Sequence, residues 1–235
     1  MEQQIITLEK TQKDNYFYSE AIKTLRTNIQ FCGSGIQVVM FTSSLPNEGK
    51  SETTLSLAES LGSIGKKTLL IDADMRKSVF ASRYGITGRI NGLSQYLCGQ
   101  KTREEVIYPT SLENVDFILA GPYSPNPSEL LEDPLFKELI ETARESYDYV
   151  IIDTPPMGNL IDGAIIASQC DGAALVVEAG AISYRLAQRV KSQLERSGCR
   201  ILGAVLSKVG GDENGRYYDS YYKKYYGKYY GAYKY

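Results

Sequence analysis

Short apolar runs rich in β-branched residues recur along the chain, at Val38 to Thr42, Thr68 to Ile71, Val115 to Leu119, Tyr149 to Ile152, Ala174 to Val177 and Ile201 to Leu206. Most are apolar at successive positions, which predicts strands buried on both faces. Helical patterns lie between most of them, at Ser51 to Ile64, Pro134 to Ser146 and Ser183 to Ser197. Repeated strand, helix, strand order predicts an α/β fold, a doubly wound and mostly parallel sheet covered on both sides. Ahead of the first strand, Ser19 to Phe31 reads as a helix capped by Ser19, with Ile22, Leu25 and Ile29 at helical spacing. Glu20, Lys23 and Arg26 form a polar line on a neighbouring face, a pattern that is usually solvated surface. The last apolar run stops at Val209, where Gly-Gly-Asp-Glu-Asn-Gly marks a flexible exit. The expected parts are therefore an N-terminal segment with its helix (1–34), one α/β domain (35–209) and a flexible, disordered tail (210–235).

The stretch from Val38 to Ser51 is a buried strand running into a loop that opens a helix. Backbone N–H groups and the positive end of a helix dipole converge there, the physical requirement of a phosphate-binding loop. The expected nucleotide contacts are Ser44, Pro46, Asn47, Glu48, Gly49, Lys50, Ser51 and Glu52. Gly49 lets the backbone approach phosphate, Lys50 is suited to the β and γ phosphates, and Ser51 to Mg2+. Ser44 stands where the consensus has glycine, and Asn47 where glycine is common. Asparagine tolerates the left-handed conformation, so a nest of N–H groups survives.

Two further strand ends carry carboxylates, in Leu69-Leu70-Ile71-Asp72-Ala73-Asp74-Met75-Arg76 and in Val150-Ile151-Ile152-Asp153-Thr154-Pro155-Pro156. Ligands of open α/β sheets sit at that edge. Asp153 is the expected strand-end carboxylate of the metal's water shell, and either Asp72 or Asp74 is the base for an attacking hydroxyl. Asp at the end of a βα strand also commonly caps the next helix. Asp162 is read as such a cap in preference to part of a nucleotide-sensing switch.

Composition narrows the chemistry. The 235 residues contain no histidine, so imidazole triads and imidazole metal sites are excluded and carboxylates become the natural bases. A formal charge of -2 argues against a general nucleic-acid binder. Cys32, Cys98, Cys170 and Cys199 lack paired spacing, which favours reduced thiols. The opening residues lack a signal-peptide pattern and no run approaches the roughly 18 apolar residues of a membrane span, so membrane association is expected only through a partner.

These motifs resemble the bacterial tyrosine kinases built on a P-loop ATPase fold of the deviant Walker A (MinD/ParA-like) type, most closely the cytoplasmic kinases of Gram-positive capsule and exopolysaccharide loci. The resemblance rests on the helix with Glu20 and Arg26-Thr27-Asn28, the Walker A ending Glu48-Gly49-Lys50-Ser51, the Walker A' Leu70 to Arg76, the Walker B Ile152 to Pro156, and the terminal tyrosines. It implies transfer of the ATP γ-phosphate to tyrosine, with Lys50 on the phosphates, Ser51, Asp74 and Asp153 serving Mg2+, and Asp72 and Asp74 sharing the base and metal-shell roles. It also implies a homo-oligomeric ring whose interface includes Glu20, Lys23 and Arg26, a membrane-anchored activator that modulates polysaccharide chain length, a cognate tyrosine phosphatase, and recruitment to the inner face of the membrane. Lys23 stands where the family pattern has arginine, and Ser207 where the last strand often ends in asparagine. The rival class is the partitioning and division-site ATPases, which would make this chain a nucleotide-gated scaffold. Their extra P-loop lysine falls at Leu45 here.

Ten of the nineteen tyrosines lie in the last nineteen residues: Tyr217, Tyr218, Tyr221, Tyr222, Tyr225, Tyr226, Tyr229, Tyr230, Tyr233 and Tyr235. They are the expected phosphate acceptors. From Arg216 onward there are five basic side chains and one acidic. Each phosphotyrosine adds roughly -1.5 to -2, so two or three would reverse the segment's sign. The unmodified tail is expected to be drawn to a carboxylate-lined site and the phosphorylated tail repelled from it.

Overall fold

The computed structural model describes residues 4–8, 16–88, 90–158 and 160–209. The tyrosine cluster and the tail assignment lie outside the described residues. A seven-stranded sheet runs through the centre: β1 (Val38–Ser43), β2 (Thr68–Asp72), β3 (Tyr108–Pro109), β4 (Val115–Ile118), β5 (Tyr149–Asp153), β6 (Gly172–Glu178) and β7 (Ile201–Ser207). Its spatial order is β3-β4-β2-β5-β1-β6-β7, all parallel except the β3–β4 pair. The six expected strands are present. The short β3 is an addition, and Ile6, buried at its flank, forms a parallel bridge to Thr110.

Strand side chains alternate between two cores, which explains why the runs are continuously apolar. Val38, Met40, Leu69, Ile71, Val150 and Ile152 face one core with α6 (Pro134–Ser146), α7 (Asp162–Ala167) and α8 (Tyr184–Arg196). Val39, Phe41, Leu70, Phe117, Ile151 and Val176 face the other, with α1 (Tyr16–Phe31) and α2 (Lys50–Gly62). The shorter helices are α3 (Phe80–Arg83), α4 (Leu93–Leu97) and α5 (Pro127–Glu132).

Two expectations shift. Helix α1 begins at Tyr16, so Ser19 sits inside its first turn and does not cap it. Among the described residues β7 pairs with β6 alone and is partly open, with Leu206 60% exposed. An apolar run by itself does not distinguish an edge strand from a central one.

The start of the parallel sheet is pinned by Asp171, which precedes β6. Its carboxylate accepts N–H bonds from Gln37 (2.9 Å) and Val38 (2.7 Å) and both ends of the Arg144 fork at 2.8 Å. Burial acts to raise its pKa, but Arg144 and the two strand N–H groups outweigh burial and hold it below the usual carboxylate value. Asp171→Ala is expected to cost about 2 to 3 kcal/mol at neutral pH, because donors at a strand start lose their acceptor. The depressed native pKa means that this contribution is complete above about pH 4 and lost as pH falls through the native value. Urea midpoints of parent and variant should therefore differ at pH 7 and converge under acid.

Candidate active site

β2, β5 and β1 are adjacent, and their C-terminal ends bring the three motifs to one edge of the sheet. Asp72 and Asp153 are register partners across β2 and β5, and Phe41, just before the loop, partners Asp153 on the other side. The loop is stitched back to β5 by Thr154 N–H to Phe41 O (3.1 Å) and Met157 N–H to Ser43 O (2.9 Å). Gly158 must be glycine, since a Cβ there would stand 2.4 Å from Ser44 O.

The loop has the nest geometry that its sequence predicts. Asn47 and Gly49 both adopt left-handed backbone, with φ of 67° and 83°, and α2 begins at Lys50 with no side-chain cap on its free N–H groups. Lys50 Nζ lies 2.6 Å from Asp153 Oδ1, and Ser51 Oγ donates to Asp153 Oδ2 at 2.6 Å. All three side chains are buried.

A cavity of about 340 Å³ opens over these groups, within the size range of small-molecule sites. Ser44, Pro46, Asn47, Glu48, Gly49, Lys50, Ser51, Asp72, Asp74 and Asp153 all line it. The hydroxyl of Ser44 is buried without a partner among the described residues. Glu52 does not line the cavity; after burial, its charge is the next cause that pushes the Tyr84 phenol up to about 12.

Several contacts within the site were not legible beforehand. Glu48 turns inward: one carboxylate oxygen accepts the N–H groups of Ser44 and Leu45, both at 2.7 Å, and the other accepts Glu178 N–H at 3.3 Å. Ser207 at the end of β7 donates to Glu48 O at 2.6 Å, so the last strand braces the loop. Ser78 donates to Asp72, whose other oxygen accepts Asp74 N–H at 3.1 Å. Arg76, Lys77 and Arg83 also line the cavity. The carboxylate-lined site thus also has a basic wall. Asp162 does not cap α7; it forms an ion pair with Arg76 at 2.6 Å. Nothing in the local pattern at these positions signals their partners.

The expected interface residues divide. Glu20 and Lys23 are exposed and pair with each other at 2.7 Å. Arg26 is half-buried and bonds Ser60 O (2.8 Å) and Ser60 Oγ (3.1 Å) on α2 of its own chain.

Asp72 is fully buried and its pKa is raised to about 7, by burial first and the neighbouring Asp153 charge second. Among the described residues no three acidic or thiol groups form a metal cage. Mg2+ keeps several waters and takes one or two protein oxygens beside substrate phosphates. Ser51, Asp153 and Asp74 are the oxygens suited to it.

A family model described as an AAA domain matches residues 36–185. Tyrosine-protein kinase CpsD of Streptococcus agalactiae is 44% identical over 190 residues, covering 81% of this chain and 83% of the relative. The kinase domain of Escherichia coli tyrosine kinase ETK superposes with a TM-score of 0.77 at 28% identity, covering 87% of this chain and 89% of that one. The septum site-determining protein MinD of Pyrococcus horikoshii OT3, complexed with Mg-ADP, gives 0.64 at 25% identity, with 76% and 72% covered.

A group whose native pKa is raised makes its contribution to stability below its unfolded value and loses it as pH rises to the native value. Nucleotide-free protein should therefore be increasingly burdened by Asp72 between about pH 4 and pH 7. Asp72→Asn is expected to melt above the parent, with a gap that widens over that window and levels above it, as thermal melts across the pH range would show.

Proposed function

The chain belongs to the bacterial P-loop tyrosine kinases, and from that premise we propose that it moves the γ-phosphoryl group of ATP onto the tyrosines of its own C-terminal cluster, presented by a neighbouring copy. It is a protein-tyrosine kinase that uses a P-loop. The observation that carries the site assignment is the convergence of Lys50, Ser51, Asp72 and Asp153 under the left-handed nest of Asn47 and Gly49.

In this reading Lys50 exchanges Asp153 for the β and γ phosphates, and the loop N–H groups from Gly49 onward hold the same oxygens. Ser51, Asp153 and Asp74 would hold Mg2+, which would supply neutralisation of the phosphate charge. Asp72 takes the tyrosine proton. Its environment supports that role, because burial pushes both carboxylates up, Lys50 and Ser51 oppose that rise at Asp153, and Asp72 is left poised near neutrality, the range suited to a general base. Lys77 and Arg83 on the wall neutralise the anionic end of nucleotide or product.

Regulation of capsule or exopolysaccharide synthesis, a homo-oligomeric ring involving Glu20, Lys23 and Arg26, a membrane-anchored activator and a cognate phosphatase complete the proposal, supported by the likeness to the streptococcal kinase. No helix among the described residues is long and apolar enough to cross a membrane. Recruitment from the cytoplasm to the inner face of the membrane through the partner is part of the same proposal.

With labelled ATP and Mg2+, the parent chain is expected to acquire phosphotyrosine in residues 217–235, whereas Lys50→Met and Asp72→Ala lose at least about 100-fold in rate. A chain truncated after Val209 should remain able to phosphorylate a Lys50→Met full-length partner. ATP hydrolysis without phosphotyrosine, even with an activating partner, would instead identify a nucleotide-gated scaffold.

A further inference from the structure

Asp72 and Asp153 end strands and are positioned by the sheet ladder, but Asp74 lies two residues beyond β2 with no ladder to hold it. The turn that carries it is closed on itself. Asp74 N–H bonds Asp72, Lys77 N–H bonds Asp74 Oδ1 at 2.9 Å, and Ser78 bonds Asp72. Such a turn fixes its own shape, yet it still needs an outside anchor to fix where it points.

Arg76 supplies one. Its Nε and Nη2 both bond the carboxylate of Asp162, at 2.6 and 3.0 Å. Asp162 is 1% exposed, and Arg76 is a third exposed and lines the cavity. Asp162 stands at the first turn of α7 but makes no capping bond. α7 packs against β1, and the segment leading to it is tied to β1 through Met157 N–H and Ser43 O. The anchor is therefore referred back to the strand that carries the phosphate loop.

We propose that Arg76 and Asp162 form a latch that sets the position of Asp74 relative to the phosphate loop, making Arg76 a positioning residue for the metal shell. The latch rests on the assignment of Asp74 to that shell. The planar guanidinium matters as well as its charge, because two parallel bonds fix orientation where a single ammonium contact leaves it free.

The test uses the full chain with Arg76→Lys, which keeps the charge, Asp162→Asn, which keeps the shape, and the double variant. Mg2+ is titrated against binding of a fluorescent non-hydrolysable ATP analogue, and amide hydrogen exchange over residues 72–78 is followed without nucleotide. Each single variant is expected to raise the Mg2+ concentration at half-saturation by roughly tenfold or more, as loss of a group that orients a metal ligand does. Affinity for the analogue at saturating Mg2+ should change by less than about threefold, and exchange at Asp74 and Lys77 should speed up. The double variant should be no worse than the more damaged single one, since the two residues act as a unit. An unchanged Mg2+ requirement with unchanged exchange, or additive losses in the double variant, overturns the latch. Asp74→Asn run alongside keeps the two ideas apart. If it leaves the Mg2+ requirement unaltered, the metal-shell assignment fails, while exchange in Arg76→Lys still decides whether the latch exists.

Discussion

A carboxylate buried at the centre of a parallel sheet needs a cation and hydrogen-bond donors, and Asp153 has both in Lys50 and Ser51. The rest of the site is arranged around that requirement. β5 lies between β2 and β1, so Asp153 faces Asp72 on one side and the root of the phosphate loop on the other. Lys50 and Ser51 are thereby held in place before nucleotide arrives, and the groups that would receive metal and phosphate are the ones already satisfying one another. The stability of the unliganded fold and the readiness of the site are a single electrostatic arrangement.

The phosphate loop is held from outside by a second anion. Glu48 accepts the N–H groups of Ser44 and Leu45, so these two donors serve the loop's shape and leave phosphate to the N–H groups further along. Glu178 N–H and the Ser207 hydroxyl tie the same residue to β6 and β7. The last described strand is thus mechanically continuous with the nucleotide site, and the tyrosine-bearing segment begins ten positions after Ser207.

Charge around the cavity is layered. Asp72, Asp74 and Asp153 lie together with Arg76, Lys77 and Arg83. A basic segment would be attracted by the carboxylates and a phosphorylated one by the cations on the wall, so net charge alone does not set the direction of binding. MinD shares the fold at a TM-score of 0.64. A shared fold does not by itself fix the activity, which depends on the residues at the site.

The strands, their parallel sheet, the phosphate loop and the two aspartate-bearing strand ends were legible in the sequence, because each is a local signal: an apolar run, a backbone nest, a carboxylate at a strand end. The left-handed Asn47 belongs with them, since its conformation depends on its own side chain and immediate neighbours. Other features were settled only when distant segments met. Arg76 reaches Asp162 across 86 positions and Ser207 reaches Glu48 across 159. The inward turn of Arg26 and the open face of β7 likewise depend on what packs beside them. Hydrophobic periodicity and turn chemistry state which element a residue joins. The partner of a polar side chain is chosen by the tertiary fold, because a hydrogen bond or ion pair exists only where the chain's return path places the second group within about 3 Å.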